Sequence, residues 1–440
     1  MDVKKIVFLL TFTGIAFGSV VAQGADSVAR EVKEGWQLGL FPTLTYSNTL
    51  GFQYGACGNV FYYGYGERNS YPDPMHKFSF EASHFTRGRS RFWLALDSKA
   101  LLPGWRVTLS ALDIMDPLYF FYGFNGPAQP YSEDLDEELH YNVDRNIFQA
   151  FANFQSQLSE RMKVVAGISF SNYRLRDYDG SAYGGNDTAT LYRQYVSSGI
   201  IGSEEAEGGN VLEVRGGIVY DTRDVESAPN RGLLLEAFLN GGFSPQHTYF
   251  KACAYFSHFL RIPIGLKPGD PVFAYRLGYE GTLTGDVPFY MQQSVPMLVP
   301  HTMLTEGFGS AKTIRGYYEN RIVADGVAWG NFELRVKVVK FTLWNQYFYI
   351  AVNPFFDLGL IVQPYRIDRQ ARAFSPTPGS AEAFVEERLR DEAKRPLASY
   401  GMGFKLVWNE NFVLSAEVAH CVDRALGSPF WIDLGVNYVF

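Results

Sequence analysis

Apolar and polar residues alternate with period two along much of the chain, in runs of about ten residues. From Trp431 to Phe440, one face carries Ile432, Leu434, Val436, Tyr438 and Phe440, and the other Trp431, Asp433, Gly435 and Asn437. Around Asn331 the faces are Phe332, Leu334, Val336 and Val338 against Asn331, Glu333, Arg335 and Lys337. Near Met162, Val164, Ala166, Ile168 and Phe170 oppose Lys163, Gly167, Ser169 and Ser171; near Val211, Leu212, Val214, Ile218 and Tyr220 oppose Glu213, Arg215 and Asp221. Sixteen strands are predicted, near 36–46, 51–62, 77–85, 90–98, 105–112, 141–155, 162–174, 211–221, 232–242, 248–260, 272–284, 327–338, 346–360, 398–408, 412–420 and 431–440. The long intervals 113–140, 175–210, 285–326 and 361–397 all follow odd-numbered strands. In an antiparallel barrel, that parity puts every long loop at one end, matching surface loops outside, short turns in the periplasm and both termini inside. A soluble sandwich also alternates. Here, however, aromatics gather near strand ends, where a membrane girdle would sit.

No uninterrupted apolar run after residue 23 reaches the length of a transmembrane helix, so a membrane location requires a closed barrel. Composition agrees: aromatic residues make up 16% and charged residues 19% of the 440, which excludes a disordered chain or coiled coil. The net charge of −7 gives no support to nucleic-acid binding. Cys57, Cys253 and Cys421 are odd in number and far apart, leaving room for at most one disulfide and for no metal cluster. Residues 1–22 have the layout of a secretory signal peptide: Lys4 and Lys5, an apolar run from Ile6 through Phe17, then Val20 and Ala22 before the cleavage point. Residues 23–440 are expected to form a single all-β, antiparallel transmembrane barrel with one long loop folded into its lumen.

Three motifs stand out. Glu306-Gly307-Phe308-Gly309-Ser310 leads into Ile314-Arg315-Gly316-Tyr317-Tyr318-Glu319-Asn320-Arg321 before the twelfth strand. The thirteenth strand carries Phe355-Phe356-Asp357-Leu358-Gly359, and the turn after the eighth reads Tyr220-Asp221-Thr222-Arg223-Asp224, with Pro229 and Gly232 following. Together these resemble the barrel of the bacterial surface antigen superfamily, the BamA- and TamA-like outer-membrane assembly factors, over essentially the whole mature chain. Phe121-Tyr122-Gly123-Phe124-Asn125-Gly126 is similar to a loop signature of its shorter members. The resemblance implies that Arg315 is the tip arginine of a loop that folds back into the lumen, flanked by Ile314, Gly316 and Tyr317, and that Asp357 is its partner on the wall. Alternation independently turns Asp357 inward, opposite to Phe356 and Leu358. A guanidinium can hold a carboxylate through two charge-assisted hydrogen bonds in a partly desolvated lumen, and glycine at the tip allows close approach. Asp221, Arg223 and Asp224 are expected to build a periplasmic turn. Tyr438 and Phe440 are expected to form the C-terminal aromatic signal that such barrels present to the assembly machinery.

The resemblance departs in one respect: no POTRA domain fits before the first strand, so a barrel-only member is expected, and insertion of client proteins is placed in doubt. Three functions remain open. One is outer-membrane biogenesis, moving protein or lipid through a weak seam between the first and last strands, with a periplasmic or POTRA-bearing partner. The others are a passive channel and a structural accessory subunit of an envelope complex. Glycines 401, 403 and 435 would make the seam side less rigid. The sequence holds no nucleophile elbow, zinc-protease motif or phosphate loop, so no enzyme, catalytic residue, metal or cofactor is expected. His420 and Asp423 with Ser415 are the nearest approach to a hydrolase set. The expected surroundings are outer-membrane lipids of a Gram-negative bacterium.

Overall fold

A computed structural model describes residues 33–47, 50–71, 73–128, 131–137, 139–178, 189–226, 228–292, 307–309, 312–343, 346–365, 395–408 and 412–436. The strands are β1 (Trp36–Ser47), β2 (Gly51–Tyr62), β3 (His76–Phe85), β4 (Ser90–Leu102), β5 (Trp105–Phe120), β6 (Asn142–Gln157), β7 (Met162–Asp177) and β8 (Gly208–Asp221). They continue as β9 (Gly232–Phe243), β10 (Thr248–Arg261), β11 (Val272–Gly285), β12 (Gly326–Leu343), β13 (Gln346–Gln363), β14 (Leu397–Trp408), β15 (Phe412–Cys421) and β16 (Trp431–Val436). Each pairs antiparallel with its neighbours in sequence, and β16 closes on β1, so the sheet has no free edge. The fold is therefore the predicted transmembrane β-barrel. No described helix is long and apolar enough to cross a membrane.

The pleat sorts side chains between lipid and lumen. Leu38, Leu40 and Leu44 stand exposed on the outer face of β1, whereas Thr43 between them is buried. On β12 and β13, Leu334, Phe356, Leu358 and Leu360 point out, while Asn331, Glu333, Arg335 and Asp357 are buried inside. Aromatic rings mark one rim: Trp36 lies 4.8 Å from Tyr62, and Phe348 lies 5.3 Å from Phe341 and 5.7 Å from Trp408.

Several strands outrun the alternation that foretold them. β5 spans 16 residues and β12 spans 18, because each passes a bulge, between Asp116 and Tyr119 and between Lys337 and Val339. A bulge shifts side-chain parity by one, so the period-two pattern stops there while the ladder continues.

The loops after β5, β7, β11 and β13 share one end, as parity predicted. Their described parts carry a set of buried aromatic residues. Short helices α1 (Glu133–Glu137) and α2 (Leu191–Ser197) lie within them, and Thr190 caps α2 by accepting the Arg193 amide at 3.1 Å. Phe121, Tyr122 and Phe124 after β5, Tyr192 and Tyr195 on α2, Phe289 and Tyr290 after β11, and Tyr365 after β13 pack into one buried aromatic lid. Residues 179–188 and 366–394 lie outside the described residues, as does the predicted signal segment; the charged run 381–395, which the sequence reads as a short surface helix within its loop, falls on them except for Arg395.

The seam is uneven. β1 registers with β2 along its whole length, from Trp36↔Tyr62 to Ser47↔Gly51. With β16, among the described residues, it registers only at Tyr46↔Leu434 and Ser47↔Asp433, both at the loop end.

Candidate functional site

The loop between β11 and β12 enters the lumen and brings Arg315 against the wall. Its guanidinium takes Asp357 of β13 with two hydrogen bonds, Nε to Oδ2 at 2.8 Å and Nη2 to Oδ1 at 2.7 Å. The Arg315 amide donates to the same carboxylate at 3.1 Å, so side chain and backbone are fixed together. Nη1 also reaches Glu333 of β12 at 2.6 Å and Glu417 of β15 at 3.4 Å. Arg315 and Asp357 are 0% exposed. Three carboxylates around one guanidinium would repel each other, but Arg335 donates to Glu333 at 3.0 Å and Lys405 pairs with Glu417. Three cations thus balance three anions, which makes full burial tolerable. Phe355 places its ring 3.5 Å beneath the guanidinium carbon, adding a cation–π contact.

Alternation alone puts Glu333, Arg335, Lys405 and Glu417 on the inner face. It does not say that they meet at Arg315, and sequence reading named only Asp357. Arg276 of β11 was missed too: its Nε donates to Asn331 at 3.0 Å and its Nη2 to the Lys312 carbonyl, while Asn331 donates to the Thr313 carbonyl at 2.7 Å.

The residues around the tip each meet a specific surface. Ile314 is fully buried, seated against Gly359 of the Phe-Phe-Asp-Leu-Gly run. Gly316 has φ +91°, and a Cβ there would approach the Cys421 amide at 3.3 Å and the Ala419 Cβ at 3.4 Å. Both conformation and space therefore favour glycine. Tyr317 pairs with Gly427 in an isolated bridge, and its hydroxyl accepts from the Ala398 amide at 3.0 Å. Gly401 also has a packing role beside the one expected of it on the seam side: a Cβ there would meet the Val418 carbonyl at 2.0 Å and the Phe355 ring at 2.6 Å. Glu306, Ser310, Tyr438 and Phe440 lie outside the described residues.

The lid also joins loops to one another. Asn125, in the left-handed region at φ 58°, donates to the Tyr365 carbonyl at 3.0 Å and accepts the Tyr365 amide at 2.6 Å, joining the loops after β5 and β13. Phe124 stacks on Tyr365 at 4.0 Å. At the other end, Asp221 holds Arg223 through bonds of 3.0 and 2.9 Å, and Asp224 accepts the Val225 and Asn230 amides at 3.1 and 2.9 Å. This turn reaches both Arg106 of β5, through Glu226 at 3.1 Å, and Lys337 of β12, through Asn230 at 2.8 Å.

No hydrolase site forms at His420. Its ring points outward and donates to the Pro429 carbonyl at 2.7 Å, whereas Ser415 lies on the opposite face of β15 and Asp423 accepts the Ala425 amide at 3.1 Å. No group of three or more metal-ligating side chains occurs among the described residues.

No protein-family model matches the sequence, and a search of curated proteins finds no match. Solved structures do match in fold. BamA from Haemophilus ducreyi lacking POTRA domains 1–3 superimposes with a TM-score of 0.55 at 13% identity, over 92% of this chain and 70% of that one. CdiB from Escherichia coli superimposes with a TM-score of 0.51 at 8% identity, over 92% of this chain and 63% of that one. At such identities the likeness is one of fold: the chain has a BamA-like barrel.

Proposed function

We propose that this chain is an outer-membrane barrel of envelope biogenesis, which moves protein or lipid into or across the membrane and works with a partner that supplies periplasmic domains. Residues 1–22 act as its export signal, and the loop end faces the cell surface. The observation that carries this reading is the fixed loop: Arg315 is clamped to β12, β13 and β15 inside the lumen, beside a seam registered only at its loop end among the described residues. A passive channel needs a standing water path through its lumen. Here the tip loop, the aromatic lid and the turn at 222–231 all occupy that path. The BamA-like fold and the Arg-Gly-Tyr and Phe-Phe-Asp-Leu-Gly runs support the same reading. The charged cluster would hold the resting state, and the seam would provide the exit.

Gentle purification from native membranes, followed by planar-bilayer recording, tests this. A stoichiometric periplasmic partner together with little steady conductance is the expected result. A solitary barrel with a large, stable open conductance would overturn it in favour of a channel.

A further inference from the structure

The outer wall of the barrel turns from apolar to polar at the loop end of β6, β7 and β8. On β7 the outward side chains are Ile168 and Phe170, both exposed, and then Asn172, Arg174 and Arg176. Phe170 registers with Leu212 of β8 and Asn172 with Asn210, so the change falls on one rung of both strands. On β6 it falls between Phe148 and Asn146, and Asn146 registers with Arg174. Such a step marks the edge of the hydrocarbon, where lipid headgroups begin. Near the loop ends of other strands the exposed outward residues stay apolar, with Phe243 on β9, Phe250 on β10, Leu283 on β11 and Val362 on β13.

Arg174 and Arg176 are both exposed, and their side chains have no hydrogen-bond or ion-pair partner among the described residues. Asp144 registers with Arg176, whereas Arg174 lies between two uncharged residues, Asn146 and Gly208. The polar floor beneath them is closed on itself, since Asn172 Nδ2 donates to Asn210 Oδ1 at 2.7 Å. Arginines that serve the fold are buried against carboxylates, as Arg89 is on Asp116 and Arg315 on Asp357. This pair is not. Residues two apart on a strand share a face and stand about 7 Å apart. Two guanidiniums at that spacing can converge on one phosphate group, or on two carried by one headgroup.

We propose that Arg174 and Arg176 form a clamp for a phosphate-bearing lipid headgroup on the membrane-facing rim of β7. Guanidinium donors match phosphate oxygens in pairs, and a site beside hydrocarbon meets less competition from water than one in bulk solvent. The occupant is a lipid rather than a soluble anion because the pair faces outward, directly above Phe148 and Phe170, along which acyl chains lie. An arginine at the interface costs the barrel little, in contrast to one at mid-bilayer depth. The inference rests on the barrel's embedding in lipid; it goes beyond the proposed function and holds for either orientation and any cargo.

Native mass spectrometry of the full barrel in uncharged detergent, titrated with lipid A, a glycolipid carrying two phosphate monoesters, reads the clamp. Arg174→Gln and Arg176→Gln should each weaken binding roughly fivefold, and the two together roughly 25-fold, the worth of one and two arginines at an anionic membrane surface. Arg174→Lys with Arg176→Lys should lose less, because the charge stays and only the paired donor geometry goes. The wild-type barrel should bind lipid A stripped of both phosphates roughly 25-fold more weakly than lipid A itself, a comparison that needs no variant. Inorganic phosphate at millimolar concentration should displace nothing. Equal binding of lipid A by the wild type and the double Arg→Gln variant, equal binding of both lipids by the wild type, or displacement by inorganic phosphate would overturn the clamp.

Discussion

Reversing the charge of Arg315 probes the centre of the molecule. In the native cluster, Glu333, Asp357 and Glu417 face Arg315, Arg335 and Lys405. Arg315→Asp leaves four carboxylates against two cations in a space where Arg315 and Asp357 have no exposure. Breaking one buried pair costs about 3–5 kcal/mol, and the added repulsion pushes the reversal to the upper end. Asp357→Arg in the same chain restores three of each sign. Rescue should be partial, because the native geometry also uses the Arg315 amide on Asp357 at 3.1 Å and the Phe355 ring beneath the guanidinium. Hydrogen exchange of the Tyr318 amide, bonded to Leu426, reports loop docking. The single reversal should raise its opening roughly 1,000- to 5,000-fold, the equivalent of the upper end of that free energy, and the double variant should recover at least a tenth of the lost protection. Wild-type protection in Arg315→Asp, or no recovery in the double variant, would refute the clamp.

Other expectations are as direct. Gly316→Ala should cost about 1–3 kcal/mol of loop docking, from its positive φ and the approach to Cys421 and Ala419, measured by the same amide. Asn125→Ala removes both bonds to Tyr365 and should loosen the lid by about 1–3 kcal/mol, seen as faster exchange of the Tyr365 amide. Leu94→Arg, on the outer face of β4, should destabilise the barrel in lipid by about 2–4 kcal/mol, and a cost near zero would place that face in water.

The lid should also respond to pH. Burial pushes the Glu205 carboxyl up to about 7, although the Phe289 amide donates to it at 3.1 Å. An acid whose native pKa is raised binds more protons when the lid is closed. The lid is then most stable below about pH 4.5 and loses at most about 3 kcal/mol as pH rises to about 7. His247, 4.0 Å away and lowered by burial, contributes in the opposite sense, losing stability as pH falls. Glu205→Gln should therefore abolish the decline with rising pH, and thermal melts of lid fluorescence across pH 4–8 would show whether it does.

Period-two alternation is a local property of the chain, and it determined what is local: the sixteen strands, the parity of the long loops, and which side of each strand meets lipid. It turned Asp357 inward from its neighbours Phe356 and Leu358 alone. Three short motifs, read through their resemblance to a known barrel, also indicated which loop enters the lumen and which arginine leads it. Tertiary structure decided the rest. Glu333 and Glu417 reach Arg315 because strand stagger in the closed sheet sets them at one height, and inward-facing parity carries no height. Arg89 and Glu319, paired at 2.9 Å, stand far apart in the chain, and no periodicity links a hairpin turn to a lumen loop. The aromatic lid was illegible for a related reason. Tyr195, Phe124, Phe289 and Tyr365 come from four loops with no common repeat, and they bury one another only once the barrel has brought those loops over a single opening.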